Sequence, residues 1–199
     1  MSWSRDLVDT TVLGALTRRF YVRQIERLAG LGIDAGGHPV SHVAVRAPTW
    51  TEYVFVREGL EGSASSNVEN VWNGRPISKI VLRAPLDLGL QEVELIELIP
   101  PFHQRVYAMG LEHVGLVVGP DLERFVDQHL EVLTGRQFQS RDCRPAYRLF
   151  DDYTHVKFYE RSLKEECLRE GAHFEGFTHA EWTSARPDAG PYEQGYPGE

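Results

Sequence analysis

SHVAVRAP, from Ser41 to Pro48, and EHVGLVVGP, from Glu112 to Pro120, are two versions of one pattern. Each sets a histidine, His42 or His113, at the entry of a run rich in β-branched residues. Each run stops at a proline, Pro48 or Pro120, and a helix-like segment follows. β-Branched side chains favour the pleated backbone and proline ends it. Between the two lies VELIELIPP, from Val93 to Pro101, a third apolar run interrupted by Glu97. Two histidines and a carboxylate on three strands of an approximate internal duplication point to one metal site at the seam of two half-domains.

Working outward, residues 1–40 read as an N-terminal helical segment. Leu13, Leu16, Phe20, Ile25, Leu28 and Leu31 recur at roughly helical spacing over Thr11 to Leu31, and Gly30 and Gly32 close the run. Residues 41–101 form a first βαβββ module. Its strand runs from Ser41 to Ala47. Thr49-Trp50-Thr51-Glu52 is a capping-box pattern that opens a helix to about Leu60. SASSNVENVW and RPISKIVLRAP are strands joined at Asn73-Gly74, a hairpin turn signal. A last strand covers Gln91 to Ile99.

Residues 111–172 repeat the order as a second βαβββ module. Its strand is Glu112 to Val118. Pro120 and Asp121 open a helix expected to pass through Phe125, Leu130 and Leu133 to Gly135. Three shorter strands are expected at Gln137 to Cys143, Tyr147 to Phe150 and His155 to Glu160. Ser162-Leu163-Lys164-Glu165 is a second capping-box pattern, opening a terminal helix through Leu168. The tail, residues 183–199, is rich in proline, glycine and charge and reads as disordered. The whole is expected to form one compact α+β domain.

Strand side chains alternate faces. Val43 and Val45 suit packing under a helix, which leaves His42, Ala44 and Arg46 on the other face. Glu97 shares its face with Leu95, where an unpaired carboxylate is costly to bury. Gly115 shares a face with His113 and leaves room for a second group to approach. Two imidazoles and one carboxylate leave open coordination positions for a substrate. That donor set favours Fe(II), and Zn(II), Mn(II) and Ni(II) also suit it. A lone histidine on a strand is more often a hydrogen-bonded core or surface group, and Glu97 has a bland alternative in a salt bridge to Arg46 or Lys79. The remaining histidines read as surface, with His155 as a reserve ligand. Arg46, Lys79, Arg83, Arg148 and Lys157 also lie on expected strands. Any of them facing the cavity would favour an anionic substrate, although surface solvation is the commoner role of each taken singly. Arg46, and Arg75 beside the hairpin turn, are the candidate substrate anchors.

With 42% hydrophobic residues in 199, the chain can bury a proper core. A net charge of −8 argues against nucleic-acid binding. No apolar stretch approaches membrane-spanning length, and MSWSRDLVDT has no signal-peptide pattern. Two cysteines, Cys143 and Cys167, make no framework, which suits a reduced, cytoplasmic protein. Cys143 lies among Arg141 and Arg144, which would favour a thiolate there. Gly36-Gly37 is too short for a phosphate loop.

SHVAVR, ENVWNGRPISKIVL, VELIELIPP, LEHVGLVV and HVKFYERSLKEECL together resemble the YecM-like proteins, a branch of the vicinal oxygen chelate superfamily. That superfamily also holds glyoxalases, extradiol dioxygenases and fosfomycin- and bleomycin-resistance proteins. The resemblance runs from about Leu16 to Gly171, and its most specific piece is the block from Glu69 to Ile77. It implies a cupped, incompletely closed mixed β-barrel of two βαβββ modules preceded by an extra helix. It implies a divalent metal in the cup at His42, Glu97 and His113, with the fourth family position at or near Phe158, which cannot ligate. The implied activity is a metal-dependent isomerase, lyase or non-heme iron oxygenase acting on a small oxygenated substrate, carboxylates among the candidates. Tyr159 and Glu160 are candidate bases. The alternative is a non-catalytic protein that sequesters a metal or ligand in the same cup. The resemblance is also compatible with a homodimer.

Overall fold

The computed structural model describes residues 3–72, 75–101, 108–138, 140 and 143–181. The Asn73-Gly74 turn and the tail after Trp182 lie outside them. Among these residues the elements are α1 (Trp3–Val8), α2 (Thr10–Gly30), β1 (Val40–Arg46), α3 (Trp50–Glu61), β2 (Ala64–Trp72), β3 (Arg75–Asp87) and β4 (Glu92–Ile99). There follow β5 (Gly110–Val117), α4 (Leu122–Gln128), β6 (Gly135–Arg136), β7 (Ala146–Leu149), β8 (His155–Tyr159), α5 (Leu163–Arg169) and β9 (Gly176–Thr178).

The strands form one nine-stranded mixed sheet in the order β6-β7-β8-β5-β1-β4-β3-β2-β9, not closed into a barrel. Its centre is the antiparallel pair β1 and β5. On one side β4 runs parallel to β1, and on the other β8 runs parallel to β5. Each module therefore repeats the same strand order outward from the seam, as the duplicated pattern implied. Parallel neighbours need a long crossover, and α3 with the β2–β3 hairpin supplies it in the first module.

Local chemistry sets the helix starts. Asp9 caps α2 by accepting from the Thr11 and Val12 N–H groups. Thr49 caps α3 by accepting from Glu52 N–H, and Ser162 with Glu165 closes a full capping box on α5. Leu13, Phe20 and Leu28 of α2 and Tyr53, Val56 and Leu60 of α3 bury their stripe against Val43, Val45, Ile80, Leu82, Ile96 and Leu98. The opposite face of the sheet is partly covered by α5, whose Leu163 and Cys167 pack on Val81 and Leu95.

Several expected elements differ. The helix after Pro120 stops at Gln128: His129 caps it, and the carbonyl of His129 then accepts from Val132 and Leu133 in a turn. Of the strand expected at Gln137 to Cys143, positions 139, 141 and 142 lie outside the described residues and the others are not strand; the strand found is Gly135–Arg136, just before it. Gln137 N–H still reaches Pro145 O at 2.9 Å, but Pro145 has no N–H to return, so the ladder ends there. Two elements were not anticipated. β9 adds a parallel edge strand to β2, and α1 packs on α3.

The α1–α3 contact depends on Gly59. A Cβ there would lie 2.4 Å from Val8 Cγ1. Gly59→Ala is expected to cost about 1–3 kcal/mol through this overlap, measured by urea denaturation. The double variant Val8→Ala/Gly59→Ala should recover part of the loss, and no recovery would show that the contact is not the cause.

Candidate metal centre

β1 and β5 are each bulged at one residue. On β1 the register passes from Val40↔Leu116 to His42↔Gly115, which leaves Ser41 as the extra residue. On β5 it passes from Ala44↔His113 to Val45↔Leu111, which leaves Glu112 as the extra residue. In both strands the bulged residue is the one just before the candidate ligand. A bulge re-aims a side chain that would otherwise point to the other face. Ser41 Oγ accordingly lies 2.9 Å from His42 Nδ1, and Glu112 Oε1 lies 3.2 Å from His113 Nδ1.

The far ends of both rings converge with Glu97. His42 Nε2 and His113 Nε2 are 3.3 Å apart, and Glu97 Oε2 is 3.1 Å from His113 Nε2 and 3.6 Å from His42 Nε2. Both histidines are fully buried and Glu97 is 2% exposed. Gly115 makes the arrangement possible, since a Cβ on it would lie 2.3 Å from His42 Cε1. The room foreseen beside His113 is filled by the ring of His42.

These residues fit a divalent cation. Donors bound at about 2.1 Å lie about 3.0 Å apart in an octahedron and about 3.4 Å apart in a tetrahedron, close to the three spacings here. Hydrogen bonding alone does not satisfy the cluster. His113 faces a carboxylate at each nitrogen, and a neutral ring has one N–H to give. Glu97 Oε2 is buried without a well-formed hydrogen bond. With a cation at the Nε2 ends, His42 Nδ1–H would donate to Ser41 Oγ and His113 Nδ1–H would donate to Glu112. Partners of this kind fix the tautomer and raise ligand basicity. Ser41 Oγ also accepts from Leu163 N–H at 2.7 Å, so α5 holds it in place. Glu112 is in turn clamped by Arg46, through Nε and through Nη2 at 3.1 Å.

The charges are tuned by burial. Burial pushes His42 down to about 3 against the upward pull of Glu97, so the ring is neutral and able to ligate. Burial alone would raise Glu97, but the close approach of His113 and the charge of Lys157 outweigh it and hold Glu97 well below the usual carboxylate range. Glu112 behaves likewise, with Arg46 as the main opposing charge.

The other expected residues fall as follows. Arg46 is on the site face but is spent on Glu112 and Pro100 O, not on Glu97. Arg75 starts β3, opposite Trp72 in register and away from the three ligands. Lys79 is opposite Glu97 in register and bonds Asn70 and Ile77 O. Tyr159 is buried with its ring 5.4 Å from that of His42, while Glu160 pairs with Arg161 near solvent. His155 is buried and stacked on His113 at 4.5 Å, and Glu112, His113 and His155 are a second grouping of possible donors. Arg46 already engages both oxygens of Glu112, which disfavours that grouping. Cys143 is no thiolate: burial pushes it up to about 12. The fourth position is not Phe158, which faces α4 and packs on Phe125 at 4.7 Å. β8 is one residue out of the expected register, and Lys157 stands there instead.

The chain matches the YecM protein family over residues 11–170. It is 24% identical over 150 residues to Protein YecM of Escherichia coli (strain K12), covering 68% of this chain and 80% of that protein. The solved structure of the structural-genomics Protein EC4020 is similar with a TM-score of 0.67 at 22% identity, over 85% of this chain and 97% of that one. A putative dioxygenase from Bacillus subtilis subsp. subtilis str. 168 has a TM-score of 0.42 at 12% identity, over 63% of this chain and 41% of that one. That last likeness is too slight to bear on chemistry.

Gly115→Ala should push the His42 ring off its position. Calorimetric titration with Zn(II) is expected to show metal affinity at least about tenfold weaker, and unchanged affinity would contradict the geometry. The metal-free protein should also lose stability on acidification. His42 and His155 stay neutral when folded, whereas an unfolded histidine charges near pH 6.5. The unfolded state therefore binds more protons below that pH, and stability falls as pH drops. The loss from pH 7 to pH 5 is about 2 kcal/mol for His42, with His155 adding in the same direction, read from urea midpoints. A flat profile over that range would contradict the neutral assignment.

Proposed function

We propose that this chain, which belongs to the YecM family, binds one divalent cation through His42, Glu97 and His113 and uses it to hold a small oxygenated substrate by two neighbouring oxygens. The convergence of three buried donor atoms within 3.1 to 3.6 Å carries this reading. The two-module sheet, with first strands paired at the seam, is the glyoxalase-like arrangement of the vicinal oxygen chelate superfamily. When bound, the cation supplies Lewis acidity to the substrate's oxygens or, as Fe(II), a site for dioxygen chemistry.

The chain's own residues do the rest. Ser41 and Glu112 hold the two rings in the tautomer that leaves Nε2 free to bind. The burial of all three donors keeps water from competing for their lone pairs. Three protein ligands leave coordination positions open, which supports an enzyme over a purely structural site. Isomerase or lyase chemistry and oxygenation are the two reaction classes such a centre serves, and Fe(II) is the favoured ion for this donor set. Among the described residues, no helix is long and apolar enough to cross a membrane. The free, buried cysteines Cys143 and Cys167 suit work in the reducing cytoplasm.

Metal analysis of protein purified without oxygen should find about one divalent ion per chain. His42→Ala, His113→Ala and Glu97→Ala should each abolish it, and Ser41→Ala should weaken binding about 10- to 100-fold. Wild-type protein that takes up no metal on reconstitution with Fe(II), Mn(II) or Zn(II) would overturn the proposal. Iron content with turnover only in air would assign an oxygenase.

A further inference from the structure

The two modules differ at one equivalent position. In the first, β4 sets Glu97 opposite Ala44, two residues after His42. In the second, β8 sets Lys157 opposite Gly115, two residues after His113. Lys157 is thus the mate of a metal ligand across the seam. It shares a strand face with His155 and Tyr159 and is 4% exposed. The register puts it on the face of β8 that lies beside His113 and Gly115, and the charges of Glu97 and Glu112 act on it.

No hydrogen bond from Lys157 Nζ is formed among the described residues. The two carboxylates that act on it have other work: Glu112 is held by Arg46 and His113, and Glu97 Oε2 faces the two histidine Nε2 atoms, where the cation would sit. A largely buried ammonium without a protein acceptor is costly, and an anionic ligand entering the site would supply one. The charge balance agrees. The strands of this face carry three buried cations, Arg46, Lys79 and Lys157, against two carboxylates, Glu97 and Glu112, while the buried Glu166 of α5 is paired with Arg161 and Arg169. A divalent ion would widen that excess, and a neutral ligand would leave it uncompensated.

We propose that Lys157 is the anchor for an anionic oxygen of the substrate, and that the site takes small anions with two neighbouring oxygens, one of them negatively charged. This rests on the metal reading above and deepens it. Lys157 thereby stands where a fourth metal ligand would stand and turns that corner of the site from metal binding to substrate binding. Arg46 is not the anchor, because Glu112 occupies its guanidinium fork.

The test uses the Mn(II)-loaded protein and oxalate as the probe. Mn(II) affinity is read from the free-ion electron paramagnetic resonance signal, and oxalate affinity from the relaxation of water protons at bound Mn(II). Lys157→Met and Lys157→Gln should bind oxalate about 10- to 100-fold more weakly than wild type, with Mn(II) affinity undiminished. Lys157→Arg, which keeps the charge and cannot ligate a metal, should recover most of the oxalate affinity. Circular dichroism checks that each variant folds, and should Lys157→Met fail to do so, the Gln and Arg variants carry the comparison. Equal oxalate affinity in wild type and the uncharged variants, with Mn(II) bound, would overturn the anchor and leave the metal site standing. Wild-type protein that binds Mn(II) but not oxalate would overturn the ligand class. Wild-type protein that binds no Mn(II) or other divalent ion would overturn both readings.

Discussion

A buried imidazole must satisfy two nitrogens, and the centre of this protein is organised around doing so twice. Each ring offers one nitrogen to a shared point and the other to the residue that precedes it in the chain. Neighbours on a regular strand face opposite ways, so this is possible only because both strands bulge at the preceding residue. The bulges at Ser41 and Glu112 are therefore the constraint on which the rest depends. They fix the register of the β1–β5 seam, and through it the positions of Glu97 and Lys157 on the strands outside. Gly115 follows from the same geometry, since no larger residue leaves space for His42.

The site face of the sheet is costly to build. It buries His42, Arg46, Lys79, Glu97, Glu112, His113, His155 and Lys157, where most sheets of this size would place aliphatic side chains. The other face carries the stabilising load, with α2 and α3 packed on a continuous aliphatic layer. This division of labour lets one face hold a polar network in low dielectric, where each charge acts strongly on its neighbours. The depressed carboxylates and the neutral His42 are consequences of that environment.

The duplicated strand-helix order and the meeting of His42, Glu97 and His113 on one face were legible in the sequence because period-two alternation and proline stops mark most of the strands plainly. The partners of the histidines were not. Ser41 and Glu112 lie one residue away, where strand alternation assigns them to the wrong face, and a bulge has no side-chain signature here. The signal was the SH and EH dipeptides opening the two matched runs. The register of β8 was missed by one residue for a related reason. HVKFY has apolar or aromatic groups on both faces, so alternation alone does not choose between Lys157 and Phe158. α1 and β9 are too short to show periodicity, and Pro145, which ends the β6–β7 ladder, precedes its strand and marks no boundary of its own.

The most direct measurement is anomalous diffraction at the absorption edge of zinc or manganese from crystals grown with that ion. The expected result is one strong peak per chain within about 2.0–2.2 Å of His42 Nε2, His113 Nε2 and Glu97 Oε2, with Ser41 and Glu112 still at the Nδ1 atoms. No peak at that point, or a peak held instead by Glu112, His113 and His155, would contradict it.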